Sequence, residues 1–191
     1  MNEEPGTHRM MGMPPKKRKP GHNIIVYDTE TMGLNGNLPV FGCAVDVETG
    51  ERGHFFDMGD LRSWIESKAP CTAYAHNGST FDISGILDIE TRYEAEKIAS
   101  GTKIFSLKHN GVDYRDSKHL FPMTLAQMAL SVGMEKGHTP DIFTQWDGTY
   151  EITEEDVSQE MIDYCYLDCD ILAEALRRFR SLYASLVDRE P

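Results

Sequence analysis

The chain has 191 residues, of which 40% are hydrophobic, and this is enough to build the core of one domain. No stretch is long and apolar enough to span a bilayer, and the start lacks the apolar segment of a secretory signal. We therefore expect an intracellular, cytoplasmic protein without membrane contact. The net charge of −12 argues against a protein that binds duplex DNA non-specifically through a broad basic surface.

Charge is unevenly distributed along the chain. Residues 1 to 22 hold five of the 19 Lys and Arg and are rich in Pro, Gly and Met, which predicts a disordered basic arm. Its Lys16-Lys17-Arg18-Lys19 run resembles a nuclear-localisation cluster, could equally bind phosphates, or is a solvated tail. Residues 23 to 191 are predicted to form one acidic domain, which must recruit divalent cations or confine nucleic acid to a narrow groove.

Apolar patterning predicts strands and helices in alternation after residue 22. Strands are expected at residues 24–28, 40–47, 54–56, 72–76, 104–108 and 112–116, the last two joined at Asn110-Gly111. Helices are expected from an Asp60 cap to Lys68, from Asp82 to Leu87, from Met123 to Val132 and from Met161 to Leu186. Thr153 and Asp156 form a capping pair, and residues 135 to 149 read as a mobile loop. This order predicts an α/β protein with helices on both sides of a mixed sheet.

Four carboxylates in three short clusters are the most informative feature of the chain. Asp28 and Glu30 close the first strand, and residues i and i+2 of a strand project from the same face. Asp82 follows the strand at 72–76, and Asp168 lies on the last helix. Acidic side chains gathered in this way repel one another unless cations lie between them, and hard oxygen ligands select Mg²⁺ or Mn²⁺. The sequence therefore predicts a two-metal phosphodiesterase.

Other acidic pairs and the cysteines are assigned no catalytic role. Asp46-x-Glu48 runs into a Thr-Gly turn, which predicts solvated acids at a hairpin end, and the two further Asp-x-Glu copies, at residues 88–90 and 188–190, are interpreted in the same way. The four cysteines lie in apolar segments without CxxC spacing, which indicates buried thiols in a reducing compartment. They are Cys43, Cys71, Cys165 and Cys169.

Taken together, the motifs resemble a known enzyme family. Asp-x-Glu, Asn-x-x-x-Phe-Asp and Tyr-x-x-x-Asp, in this order, are similar to the three motifs of the DEDD (DnaQ-like) 3′ to 5′ exonucleases. Tyr164, four residues before Asp168, resembles the tyrosine subfamily, whereas the histidine subfamily needs His where this chain has Asp163. Residues 23 to 180 look most like the proofreading domain of protein-primed family B DNA polymerases of phages. The resemblance implies a ribonuclease H-like three-layer fold with a mixed five-stranded central sheet.

The resemblance also implies roles for the acids and their neighbours. Asp28 would bridge two Mg²⁺ or Mn²⁺ ions, Glu30 and Asp168 would complete one ion site, and Asp82 would support the other. Tyr164, on the same helical face as Asp168, would hydrogen-bond the attacking water. Lys136 would lie against the scissile phosphate, although loop lysines are also commonly just solvated.

Further residues match substrate contacts of the family. Asn77 and Phe81 would hold the sugar-phosphate backbone and stack on the terminal base, with a capping Asn and a core Phe as the alternatives. Thr31, Tyr74, His76 and Ser117 match strand contacts, and His76 could instead be a satisfied histidine. Four basic residues either line a strand groove or form an outer face: Lys103, Lys108, Arg115 and Lys118.

The function predicted from these motifs is metal-dependent 3′ to 5′ hydrolysis of single-stranded or mismatched DNA ends to nucleoside monophosphates, for proofreading. RNA trimming is the alternative within the same class, because 2′-OH contacts are not readable from sequence. A catalytically idle nucleic-acid-binding or assembly module is the alternative from another class. The expected partners are a single-stranded DNA 3′ end and a replicative DNA polymerase, supplied in trans or as the rest of a larger chain. A phage protein would work in the cytoplasm of the infected host.

Overall fold

The computed structural model describes residues 23–31, 39–101, 103–141 and 153–187. The arm predicted for residues 1 to 22 lies outside this part of the chain, and so does the predicted loop from residue 142 onward. None of the helices that the structure describes combines the length and apolar character that a membrane span requires.

A seven-stranded mixed sheet forms the centre of the fold, in the order β3-β2-β1-β4-β7-β6-β5. β1, β4 and β7 are mutually parallel, and all other neighbours are antiparallel. The strands are β1 (Asn23–Thr31), β2 (Pro39–Asp46), β3 (Arg52–Phe55), β4 (Cys71–Ala75), β5 (Glu96–Ser100), β6 (Lys103–His109) and β7 (Val112–Asp116).

The predicted count of five strands is wrong. Every strand segment expected from the sequence joins the sheet, and β5 extends it at the edge beside β6. All five residues of β5 are exposed. The segment therefore lacks the alternation of apolar and polar residues that predicts a half-buried strand from sequence. Backbone hydrogen bonds to β6, rather than core packing, define this strand.

Five α-helices of the described residues flank the sheet: α1 (Met58–Ser67), α2 (Asp82–Ile86), α3 (Ile89–Glu94), α4 (Leu125–Ser131) and α5 (Gln159–Val187). α1 begins earlier than predicted, because the Asp57 side chain accepts hydrogen bonds from the backbone of Gly59 and Asp60 and is the true N-cap. The predicted capping pair of Thr153 and Asp156 is present, but it heads a 3₁₀ turn (Glu154–Asp156) ahead of α5. α3 was not predicted.

Two cores lie on opposite faces of the sheet, and β1 contributes to both by alternation. Ile24 and Val26 pack with α4 and α5, whereas Ile25 and Tyr27 pack with α1 and α2. This confirms an α/β arrangement of helices on both sides of a sheet. Because side chains alternate along a strand, Asp28 continues the α5 face of β1 and Thr29 continues the α2 face.

Candidate active site

The carboxyl end of β1 places Asp28 and Glu30 against α5. Ligand atoms of Asp28, Glu30 and Cys165 all lie within 4.8 Å of one another. The Cys165 thiol donates to the Asp28 backbone oxygen at 3.6 Å and lies 3.8 Å from its carboxylate. Glu30 Oε1 is buried and has no hydrogen-bond partner among the described residues. An unsatisfied buried carboxylate oxygen is costly and is the kind of atom that a cation would satisfy.

Asp82 reaches the same region from the other side of β1. It begins α2 and is buried, and its Oδ1 accepts from the backbone N–H of Thr29 at 2.9 Å and from the Thr29 hydroxyl at 2.7 Å. Thr29 therefore fixes Asp82 onto the strand that carries Asp28 and Glu30. Its position between two predicted ligands was visible in the sequence, but the contact itself joins residues 53 positions apart.

α5 and the preceding loop supply the remaining predicted catalytic residues. Lys136 Nζ donates to both carboxylate oxygens of Asp168, at 2.7 and 2.6 Å, and to the Tyr164 hydroxyl at 2.7 Å. The Thr139 hydroxyl lies 3.2 Å from the same phenol. The described part of the loop, which was expected to be mobile, is therefore held on α5 by side-chain contacts. Gly137 packs closely on α5, since a Cβ at this position would lie 3.1 Å from Leu167 Cδ2 and would require that side chain to shift.

Burial raises the pKa of each of the four acids, and neighbouring acids add to that rise at Asp28 and Glu30. Burial, followed by the charges of Glu30, Asp82 and Asp168, raises the pKa of Asp28 well above its ordinary value. Burial and the Asp168 charge raise the pKa of Glu30 to about 8. Burial raises the pKa of Asp82 to about 6, against the hydrogen bonds from Thr29 that lower it. Four carboxylates from three elements therefore share one electrostatic environment.

Lys136 partly compensates this negative charge. Burial raises the pKa of Asp168, and the Lys136 ammonium opposes that rise. Burial would lower the pKa of Lys136, but its hydrogen bonds to Asp168 and Tyr164 outweigh burial and raise it. The ammonium is thus charged at neutral pH. The remaining charge at Asp28 and Glu30 and the unpaired Glu30 oxygen fit a hard divalent cation held by oxygen donors.

Phe81 and Asn77 lie on the turn between β4 and α2, directly before Asp82. Phe81 is 49% exposed, so the alternative of a core Phe does not describe it. Asn77 adopts φ 66°, its backbone N–H donates to Asp116 Oδ1, and its side-chain oxygen accepts from Lys118 at 3.2 Å. The Asn77 side chain therefore has an internal partner, and the Phe81 ring is available to a ligand.

The weaker substrate candidates are largely occupied by internal contacts. His76 Nε2 donates to the Met123 carbonyl at 3.0 Å, and Nδ1 lies 3.0 Å from the hydroxyl of the buried Ser117. Burial lowers the pKa of His76 and keeps the ring neutral. This geometry matches the alternative of a satisfied histidine. Tyr74 packs in the α5-side core, and Thr31 ends β1 in a half-buried position opposite Pro39.

Two acids outside the predicted site are buried and hydrogen-bonded, which the sequence did not predict. Asp46, predicted to be solvated, is buried and accepts from the Asn23 side chain at 3.0 Å and from the backbone of Glu48 at 2.9 Å. The sequence suggested no role for Asp116, which is buried and accepts from the backbone of Asn77 and from the Ser79 hydroxyl at 2.5 Å. Asp116 therefore anchors the turn that carries Phe81 and Asp82.

No protein-family model and no curated protein matches this sequence. The fold is similar to that of Phi29 DNA polymerase in its complex with single-stranded DNA, with TM-score 0.69, 14% identity and coverage of 88% of this chain. The primer-template complex gives TM-score 0.68 at 15% identity and 88% coverage, and the ternary complex with incoming nucleotides gives 0.66 at 15% and 90%. In each case the match spans 32% of the polymerase. At this identity the likeness establishes a shared fold and nothing further.

Proposed function

We propose that the chain is a metal-dependent 3′ to 5′ exodeoxyribonuclease of the DEDD tyrosine type, with a ribonuclease H-like fold. It would hydrolyse single-stranded or mismatched DNA 3′ ends to nucleoside monophosphates. The observation that carries this proposal is that Asp28 and Glu30 lie together on β1, within reach of the charges of Asp82 and Asp168, and that Glu30 Oε1 is buried without a partner among the described residues. The similarity of the fold to part of a DNA polymerase solved with single-stranded DNA supports it.

The four acids would hold two Mg²⁺ or Mn²⁺ ions, which would activate a water and neutralise charge on the phosphate under attack. Tyr164 lies one helical turn from Asp168, so its hydroxyl is in a position to orient that water. The Lys136 ammonium contacts both residues, and it would stabilise negative charge developing on the phosphate oxygens. Phe81 would stack on the terminal base, because its exposed ring precedes Asp82 directly.

A proofreading role would require a DNA polymerase, acting in trans or as another part of the same protein. The Phi29 polymerase structures contain roughly three times the length that this chain matches, since the match covers 32% of that chain. We propose that this domain receives a 3′ end that has left a polymerase, because unpaired ends avoid the few kcal/mol that unpairing a base costs.

The direct test uses 5′-labelled single-stranded DNA, matched duplex, duplex with a mismatched 3′ end, and RNA of the same sequence. With Mg²⁺ or Mn²⁺ the single strand should shorten stepwise from its 3′ end, faster than the matched duplex, and EDTA should stop the reaction. Products that shorten from the 5′ end would contradict the assignment. Faster cleavage of RNA would favour RNA trimming, and binding without cleavage would favour an idle module.

Tyr164→Phe tests the role of the phenol. It keeps the ring and removes one hydroxyl, so single-turnover hydrolysis should fall by about 10- to 30-fold, the equivalent of one hydrogen bond to a charged group. Affinity for single-stranded DNA should stay within about twofold, since the phenol faces Lys136 rather than a base platform.

Tyr166→Phe is the matched control for this experiment. Tyr166 lies two residues further along α5 and faces β3, where the Arg52 guanidinium lies 5.5 Å from its ring centroid. This variant should hydrolyse DNA at the wild-type rate. Equal losses in both variants would assign the effect to α5 packing instead of to the water.

A further inference from the structure

A groove runs between α3 and the β5–β6 hairpin, on the side of the sheet away from α5. Its volume is about 750 Å³. Ser79 and Thr80 are among its lining residues, and Phe81 and Asp82 follow them directly in the chain. The groove therefore adjoins the turn that carries the proposed base platform and one of the four acids.

Three cations line this groove: Arg92, Lys97 and Lys103. Within the described chain, no carboxylate lies at ion-pair distance from any of them. Arg92 donates one Nη to the Ser84 hydroxyl at 3.0 Å, while its Nε is buried without a partner among the described residues. Lys97 Nζ donates to the Arg92 carbonyl at 3.3 Å. In a protein of net charge −12, a group of cations without carboxylate partners indicates a surface that binds an anion.

Two basic residues on β6 and the neighbouring β7 are paired with carboxylates. Lys108 pairs with Glu96 at 3.2 Å, and Arg115 pairs with Asp113 at 2.6 Å. The sequence allowed two interpretations of Lys103, Lys108, Arg115 and Lys118, either the lining of a strand groove or an outer face. Of these four residues, only Lys103 lines the groove described above. Lys118 lies outside the lining and donates to the Asn77 side-chain oxygen at 3.2 Å. The groove cations therefore differ from Lys108 and Arg115, whose charges are balanced by carboxylates.

Aromatic and aliphatic surface accompanies these cations. Tyr93 lines the groove and is 76% exposed, and the Lys97 ammonium lies 5.2 Å from its ring centroid. Ile89, also in the lining, is exposed. Cations that follow a backbone, combined with exposed rings on which bases stack, are the composition of surfaces that bind single-stranded nucleic acid.

We propose that this groove binds the sugar-phosphate backbone of single-stranded DNA upstream of the 3′ terminal nucleotide. The direction of the strand rests on the proposed function, because the 3′ end is assigned to the acid cluster. From there the strand passes Phe81, then Thr80 and Ser79, and enters the groove, where Arg92, Lys97 and Lys103 contact phosphates and Tyr93 contacts a base. Longer strands are therefore bound more tightly than short ones.

The test compares two double variants that remove the same charge. Lys97→Ala/Lys103→Ala empties the groove of two cations. Lys68→Ala/Lys108→Ala removes two lysines that are paired with Glu51 and Glu96. Affinity for fluorescent oligothymidylate is measured in EDTA across a range of salt concentrations, so that hydrolysis cannot contribute.

The groove variant should bind about 10- to 30-fold more weakly at 0.1 M salt, and its slope of log affinity against log salt should be shallower by about 1.4, since two phosphate contacts are lost. The control should keep the wild-type slope. An unchanged slope in the groove variant, or equal changes in both variants, would overturn the proposal.

A second readout separates this proposal from the proposed function. The nitrophenyl ester of thymidine 5′-phosphate carries one nucleotide and cannot extend into the groove. With Mn²⁺, the ratio of kcat/KM for a long oligonucleotide to that for the ester should fall about tenfold in the groove variant and stay constant in the control. A wild-type protein that hydrolyses neither substrate would refute the exonuclease, and the binding measurement in EDTA would still decide the groove.

Discussion

Asp168→Asn is expected to lower single-turnover hydrolysis of single-stranded DNA by about 10³-fold or more, because a metal ligand contributes several kcal/mol and each 1.36 kcal/mol is tenfold in rate. The substitution keeps the shape of the side chain and removes its charge. It also breaks the ion pair with Lys136, so the ammonium would lose its main anchor. The measurement is a rapid-quench time course on 5′-labelled DNA at saturating Mn²⁺.

Asp170→Asn is the control for that substitution. Asp170 lies on the same helix two residues later, but it faces β3 and pairs with Arg52 at 2.8 Å. Exposed pairs of this kind contribute about 0–1 kcal/mol, so hydrolysis should stay within about twofold of wild type. Near-wild-type hydrolysis by Asp168→Asn would contradict the assignment of Asp168 as a metal ligand. It would also contradict the two-metal proposal.

Stability should respond to pH and to metal in opposite directions. Without metal, burial raises the pKa of Glu30 to about 8 and that of Asp82 to about 6. Their unfolded values lie near 4, so between about pH 4 and 8 the folded protein holds more protons than the unfolded chain. Raising the pH through this window removes those protons, and this destabilises the folded state relative to the unfolded chain. The free energy of unfolding in EDTA should therefore fall from pH 5 to pH 8.

Divalent cations should reverse this trend, because they bind the deprotonated carboxylates. Mn²⁺ at about 100 times its Kd should add ~2.7 kcal/mol to the free energy of unfolding, which raises Tm by about 5 to 10 °C for a chain of this size. The increase should be larger at pH 8 than at pH 5. Thermal melts in EDTA and in Mn²⁺ at both pH values measure it without any assay of hydrolysis.

Glu30→Gln supplies the comparison for the melts. It removes one buried charge, so its Tm in EDTA should depend less on pH and its response to Mn²⁺ should be smaller. Asp170→Asn should behave like wild type in both respects. If neither Mn²⁺ nor Mg²⁺ changes the Tm of the wild-type protein at pH 8, the assignment of these four acids as metal ligands is contradicted.

The sequence by itself determined the features that depend on near neighbours. Strand alternation placed Asp28 and Glu30 on one face, and the helical spacing of Tyr164 and Asp168 placed both near one partner, Lys136. Asn110 and Gly111 were sufficient for the β6–β7 turn, where both adopt positive φ. These features follow from backbone geometry over a few residues, and apolar periodicity made the segments visible.

Only the tertiary structure decided which distant residues meet. Thr29 holds Asp82 across 53 positions, and Lys136 reaches Asp168 across 32. Asp46 carries the same Asp-x-Glu pattern as Asp28, yet it is buried among hydrogen bonds at the opposite end of β2 from the site. The fully exposed β5 and the unpaired cations beside it left no periodic signal. Long-range contacts depend on how strands are ordered in the sheet and which charges find partners, and no local pattern in the chain encodes that order.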